Sequence, residues 1–209
     1  YIFQNKKFDN LILMDGDGED RPIEIKNMVE KIIENPSKSV VAKRVKRSEG
    51  LFFQFLYQIH KLITLFFTGK NINFGNYCML IKDDVEKLHS KASLWSSFSG
   101  SVKKHINSFN EINSIRGLRY YGPSQMPLIK LLIHSLSIIA VFKYQVFLRS
   151  TLIIIALAYL NPFFANFSII LQILIVIFNM MIFIVSKREL KKDLINSHTN
   201  LGEINRITH

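Results

Sequence analysis

Between Arg149 and Lys187 run 37 residues, Ser150 to Ser186, without one Asp, Glu, Lys, Arg or His. An uncharged run of that length must be kept from water along its whole extent, which limits the folds open to the chain. One membrane-spanning helix takes roughly 20 apolar residues, and two with a turn take roughly 40. Asn161-Pro162 stands near the middle of the run, and proline cannot continue an unbroken helix. Two short helices, 146–163 and 168–186, are expected, with Arg149 stretching its guanidinium to the lipid headgroups. Lys143 and Arg149 precede the run, and Lys187, Arg188, Lys191 and Lys192 follow it. Basic residues on both flanks and none at the tip predict a membrane hairpin with both ends in the cytoplasm. A buried helical hairpin in a soluble core fits this length and charge bracketing less well.

Upstream, the pattern changes to α/β alternation. Leu11-Ile12-Leu13-Met14 reads as a short buried strand ended by turn residues. Pro22 stands where a helix begins, and Ile25, Met28, Val29, Ile32 and Ile33 recur at helical spacing as far as Glu34, before Asn35-Pro36. Ser39 to Ala42 reads as a second buried strand ending in a basic turn with Lys43, Arg44, Lys46 and Arg47. Residues 51–67 are expected as a helix with a wide apolar face, 71–81 as a loop entering a strand, 83–89 as a short helix and 111–119 as a further strand. From Pro127 to Phe142 an apolar helix, broken by Lys130 and His134, is expected to lie in the membrane interface. The tail from Ile195 onward is polar and expected to be loose.

Directly after the first strand come Asp15-Gly16-Asp17-Gly18-Glu19-Asp20. Acidic side chains at alternate positions of a turn can converge their oxygens on one hard divalent cation, and the intervening glycines permit the bend. A calcium EF-hand is excluded, because its sixth and twelfth positions require Gly and Glu where this chain has Asp20 and Lys26. A solvated acidic turn is the plain alternative. The net charge of +11 raises nucleic acid as a partner, but no basic groove with stacking aromatics and no reading helix accompanies it. The basic residues lie beside apolar segments instead, which suits anionic lipid or a phosphorylated substrate at a membrane. Cys78 is the only cysteine, so an intrachain disulfide and a cysteine metal site are excluded. His60, His89, His105 and His134 show no metal-ligand spacing.

The segment Met14-Asp15-Gly16-Asp17-Gly18-Glu19-Asp20-Arg21-Pro22 resembles the DxD region of family 2 glycosyltransferases, in the polyprenyl-phosphate branch that includes dolichol-phosphate mannose synthase. Three more segments resemble family elements in the same order: Ala42-Lys43-Arg44-Val45-Lys46-Arg47-Ser48, then Phe74-Gly75-Asn76-Tyr77, then Arg116-Gly117-Leu118-Arg119-Tyr120-Tyr121-Gly122-Pro123-Ser124. The likeness covers residues 9–190. It implies an α/β GT-A (Rossmann-like) catalytic domain, represented here by its C-terminal part over 1–125. An interfacial amphipathic helix over 126–143, a transmembrane hairpin over 144–187 and a polar cytoplasmic tail over 188–209 would follow. The strands that hold the nucleotide in such domains precede the DxD, so the resemblance also implies an N-terminally truncated chain opening at Tyr1.

By the same resemblance, Asp15 and Asp17, with Glu19 at the family's Gln position, would hold Mg²⁺ or Mn²⁺ against the diphosphate of a nucleotide-sugar donor. Asp17 and Asn76 would be the catalytic pair, and Arg44, Arg47, Arg116, Arg119 and Ser124 would hold phosphates of donor or acceptor. Asn76 stands where relatives often carry Asp, and an amide cannot usefully accept a proton, so it is assigned positioning alone. Gln125 follows Ser124 where lysine is frequent. The implied activity is inverting transfer of a sugar to a polyprenyl-phosphate lipid at the inner or cytoplasmic membrane, by a multi-pass protein with its catalytic part in the cytoplasm and room for a homo-oligomer. The competing reading is a non-catalytic, membrane-anchored relative without donor binding.

Overall fold

In the computed structural model, the described residues are 7–46, 51–120, 122 and 127–200. They form an α/β body with a four-stranded mixed sheet, and a second group of long apolar helices beside it. Strands β1 (Asn10–Leu13), β2 (Val40–Lys46), β3 (Phe74–Ile81) and β4 (Asn110–Ile115) lie in the order β1-β3-β2-β4. Strand β3 runs antiparallel to both β1 and β2, and β4 runs parallel to β2. Consequently β1, β2 and β4 all point one way. The expected second strand extends further than Ala42: Lys43, Arg44, Val45 and Lys46 belong to β2 rather than to a basic turn. Pairing with β4 as far as Lys46 opposite Ile115 provides backbone partners that this basic stretch alone does not reveal.

Alternation along the strands divides the core in two. Val40, Ala42, Tyr77, Met79, Ile81 and Ile112 face Met28 and Ile32 of α1 (Ile25–Glu34), which is preceded by a 3-10 turn at Pro22–Glu24. Val41, Phe74, Cys78 and Leu80 face the opposite side, against Val85 and Leu88 of α3 (Lys82–Leu88) and Val102 of α5 (Phe98–His105). Period-2 side-chain alternation in strands and period-3.6 recurrence in helices account for this sandwich. The short helix α4 (Ser93–Ser96) and α5 are additions to the sequence reading. Their serine-rich run has little apolar periodicity, and Ser97 caps α5 by accepting from the Gly100 amide at 3.2 Å.

Helix α2 (Leu51–Thr68) leaves the sheet and joins α6 (Leu128–Ala140) and α7 (Lys143–Ser186). Ile63 and Phe67 of α2 pack with Leu136, Ile139 and Ala140 of α6 and with Val146, Phe147, Phe178, Ile182 and Val185 of α7. In one straight helix, residues 146 and 182 would lie roughly 54 Å apart; here they share one cluster, so α7 doubles back on itself. Ser168 donates to the Leu157 carbonyl across the reversal. At the open end Lys143 Nζ reaches Glu189 Oε2 at 3.2 Å. Helical backbone continues through Pro162 rather than giving way to an extended break.

Two segments, Lys143–Asn161 and Asn166–Asn196, are long and apolar enough to cross a membrane. Only 11% and 17% of their most apolar windows are buried in the protein, unlike the core helix of a soluble domain. Arg149, expected to reach for headgroups, donates instead to the Phe66 carbonyl at 2.8 Å and so caps the last turn of α2. The expected loose tail carries α8 (Lys191–Asn196) and a further 3-10 turn as far as Asn200.

Buried polar groups tie β2 to α3. Ser39 Oγ donates to Asp84 Oδ2 at 2.6 Å and accepts from the Ile81 amide at 3.2 Å, while Lys87 reaches Asp84 Oδ1 at 2.8 Å. Ser39 and Asp84 are both buried, so deleting the hydroxyl leaves a carboxylate and an amide without their partner. Ser39→Ala is expected to lower stability by about 1–3 kcal/mol, read from thermal unfolding of the detergent-solubilised protein.

Candidate functional site

Because β1, β2 and β4 are parallel to one another and β3 opposes them, their carboxyl ends and the amino end of β3 lie along one edge of the sheet. That edge is where open α/β sheets place ligands. The β2-β3 ladder slips there: Val41 lies opposite Cys78, whereas Lys43 lies opposite Phe74. Two residues of β2 thus face four of β3, and the excess bulges around Gly75 and Asn76. A Cβ on Gly75 would stand 2.8 Å from Arg44 Nη2, so the bare backbone there is what admits the guanidinium.

The acidic turn leaves β1 at this edge. Asp20 folds inward and is buried, and its Oδ2 accepts from the Asp15 amide at 2.9 Å. Asp17 Oδ1 accepts from the Glu19 amide at 3.0 Å. Burial raises the Asp20 carboxyl above the usual carboxylate range; the Asp15 amide and Arg44, 4.0 Å away, oppose the shift, while the charges of Asp15 and Asp17 add to it. Asn76 Nδ2 donates to Asp15 Oδ1 at 3.2 Å. Its neighbour Tyr77 donates its hydroxyl to the Arg21 carbonyl at 2.7 Å. Burial, then the charges of Glu24 and Asp20, push that phenol up to about 12, so it stays protonated and keeps donating at neutral pH.

The third strand end brings the arginines. After β4, Arg116 pairs with Glu19 Oε2, and Arg119 Nε donates to Glu19 Oε1 at 2.8 Å. Arg119 Nη2 also lies 3.3 Å from Asp17 Oδ2. The two backbones are stitched together, with the Gly117 amide donating to the Glu19 carbonyl at 2.8 Å and the Tyr120 amide to the Asp17 carbonyl at 2.9 Å. Glu24, buried, accepts from the Ile115 amide at 3.0 Å and from Arg21 at 2.7 Å, which fixes the start of this loop. A Cβ on Gly117 would stand 2.4 Å from the Gly18 carbonyl oxygen, and Gly18 itself has φ +93°. This contact between two chain segments requires glycine on both sides.

Asp15, Asp17, Glu19, Arg44, Asn76, Arg116 and Arg119 therefore meet at one site although they span most of the α/β body. Arg47 and Ser124 lie outside the described residues. Asp20, Glu24, Tyr77 and Gly117 are supports that the sequence reading passed over; four acids in six residues was a signal that one of them serves the turn itself.

The donor set suits a small hard cation taken by two carboxylates and completed by water and a ligand's phosphates, the usual manner of Mg²⁺. Asp15 and Asp17 are the part-exposed carboxylates able to serve, Asp17 with one oxygen already near Arg119, whereas both oxygens of Glu19 are held by arginines. Among the described residues no three His, Cys, Asp or Glu side chains gather as a metal-binding set. The chain matches no family model, no curated protein and no solved structure.

Gly117→Ala is expected to part the loop from the turn and lower stability by about 1–3 kcal/mol, with faster proteolytic cleavage near residue 117. Asp20 carries a pH signature. Its raised pKa means that ionising it disfavours the folded state, so its contribution falls as pH rises through the carboxylate range. Relative to wild type, Asp20→Asn is therefore expected to gain in melting temperature between about pH 4 and about pH 7.

Proposed function

We propose that this chain belongs to an inverting glycosyltransferase of family 2, with a GT-A catalytic domain, that transfers a sugar from a nucleotide-sugar donor to a polyprenyl phosphate. The observation that carries this reading is the meeting of Asp15, Asp17, Asn76, Arg44, Arg116 and Arg119 at the carboxyl edge of one sheet, in a chain whose apolar helices join the same body through contacts of α6 with α4 and α5. Four segments matched to the family from sequence alone are far apart in the chain, and residues from each contribute to that edge.

In this mechanism Asp15 and Asp17 would hold Mg²⁺ or Mn²⁺, and the cation would supply Lewis-acid stabilisation of negative charge on a diphosphate. Asn76 orients Asp15 through its amide. The guanidinium groups of Arg44, Arg116 and Arg119 present paired donors to phosphate oxygens. The acceptor phosphate is already ionised and attacks the anomeric carbon opposite the leaving group, so no side chain has to remove a proton.

The apolar helices support a reaction at a bilayer surface. Phe55, Ile59, Leu62 and Phe66 of α2 are exposed at helical spacing, as are Leu128, Ile129 and Leu132 of α6. Such uncovered stripes, continuous with two membrane-length arms, suit the lipid interface. Lys143, Arg149, Lys187 and Arg188 gather at the open end of the hairpin. The positive-inside tendency puts that end, and the α/β body with it, in the cytoplasm of a multi-pass inner-membrane protein.

Asp17→Ala is expected to abolish metal-dependent transfer of labelled sugar to polyprenyl phosphate by the gene product in membranes. Transfer unchanged by the substitution removes the metal assignment, and no transfer by wild type beside an active related enzyme favours a non-catalytic anchor. In cells carrying Cys78→Ser and Phe163→Cys, an impermeant thiol reagent is expected to label only from outside. Labelling from the cytoplasm overturns the hairpin orientation.

A further inference from the structure

Glu19 departs from the role the family resemblance gives it. Its two oxygens accept from both arginines of the late loop: Oε1 from Arg119 Nε at 2.8 Å, and Oε2 from Arg119 Nη2 at 3.2 Å and from Arg116. The Glu19 side chain is 12% exposed and that of Arg116 15%, while Arg119 at 30% forms the open side of the cluster, from which a ligand can approach. A carboxylate held by forked guanidinium groups has the geometry those groups offer a phosphate. Arg119 also touches Asp17, so the same contact lies over one of the two carboxylates free to meet a cation.

We propose that Glu19 is an internal counter-ion that occupies the phosphate position of Arg116 and Arg119 until a phosphate of the substrate displaces it. This rests on the reading of those arginines as phosphate-holding. A phosphate brings more charge and more oxygens than one carboxylate, so it competes successfully for both forks. The exchange has a further effect. Once released, Glu19 is a third negative charge in the turn with Asp15 and Asp17, and Arg119 no longer offsets Asp17. Both changes strengthen attraction for a divalent cation, so anion and cation binding reinforce each other. The loop stays in place meanwhile through the Gly117 and Tyr120 backbone bonds, which do not involve the carboxylate.

The test is equilibrium dialysis of labelled inorganic pyrophosphate against the detergent-solubilised full chain in EDTA, at fixed ionic strength. Glu19→Gln removes the competing charge at nearly constant size. It is expected to bind pyrophosphate tighter than wild type by on the order of tenfold, while Arg119→Gln loses binding. A gain in affinity is not an outcome of local damage, and a merely structural carboxylate would not produce it. Glu19→Asp, whose shorter arm cannot satisfy both arginines, is expected to fall between wild type and Glu19→Gln and serves if the latter does not fold. Binding by Glu19→Gln equal to or weaker than wild type, with Arg119→Gln still deficient, overturns the counter-ion and leaves the phosphate reading standing. Pyrophosphate binding indifferent to both arginines overturns the phosphate reading and the counter-ion together. Parallel dialysis with a short-chain prenyl phosphate and with a nucleoside diphosphate assigns the source: the ligand that tightens in Glu19→Gln is the one the loop receives, and tightening of neither overturns the proposal.

Discussion

Four carboxylates within six residues repel one another, and the carboxyl edge of the sheet is organised around that repulsion. Burying Asp20 in the turn adds a desolvation cost, which, ahead of the charges of Asp15 and Asp17, raises its carboxyl above the ordinary range. Relief comes from three directions: Arg44 from β2, the Asp15 amide from the turn itself, and Arg116 with Arg119 from the end of β4. None of these arginines is near the turn in sequence. Compensating the turn thus draws separate strand ends onto one edge, and closing a buried charge cluster commits all its members to one geometry. The proposed phosphate and cation sites and the fold of the loop after β4 all involve these same few groups.

Much of this was legible in the sequence. The strand before the acids, the helix after Pro22, the apolar helix over α2 and the paired membrane-length arms each follow from periodicity that packing did not override. Legibility failed where structure depends on a partner distant in the chain. The basic stretch after Ala42 reads as a turn because nothing nearby pairs with it; β4, more than sixty residues later, makes it a strand. Helices α4 and α5 carry serines where an apolar stripe would have announced them. Glu19 reads as a cation ligand by alternation with Asp15 and Asp17, and only the arrival of Arg116 and Arg119 turns it elsewhere.

The slipped ladder between β2 and β3 illustrates a different limit. Sequence marks Phe74-Gly75-Asn76-Tyr77 as a unit but gives no reason for the glycine. The structure supplies one, since Arg44 lies where a Gly75 side chain would begin, and the bulge turns Asn76 toward Asp15. Tyr77, the next residue, faces the other way and pins Arg21 through its hydroxyl. Three consecutive residues thereby serve three separate contacts.

The bond from Arg149 to the Phe66 carbonyl has a mechanical meaning. It fastens the end of α2 to the first arm of the hairpin, and α2 is an 18-residue rod about 27 Å long. A change in bilayer thickness is absorbed by spanning helices as a change in tilt. The same end of the rod packs on both arms and on α6 through Ile63 and Phe67. The end of α2 and the arm it touches are therefore held at one angle, so the apolar helices answer any tilt as one block.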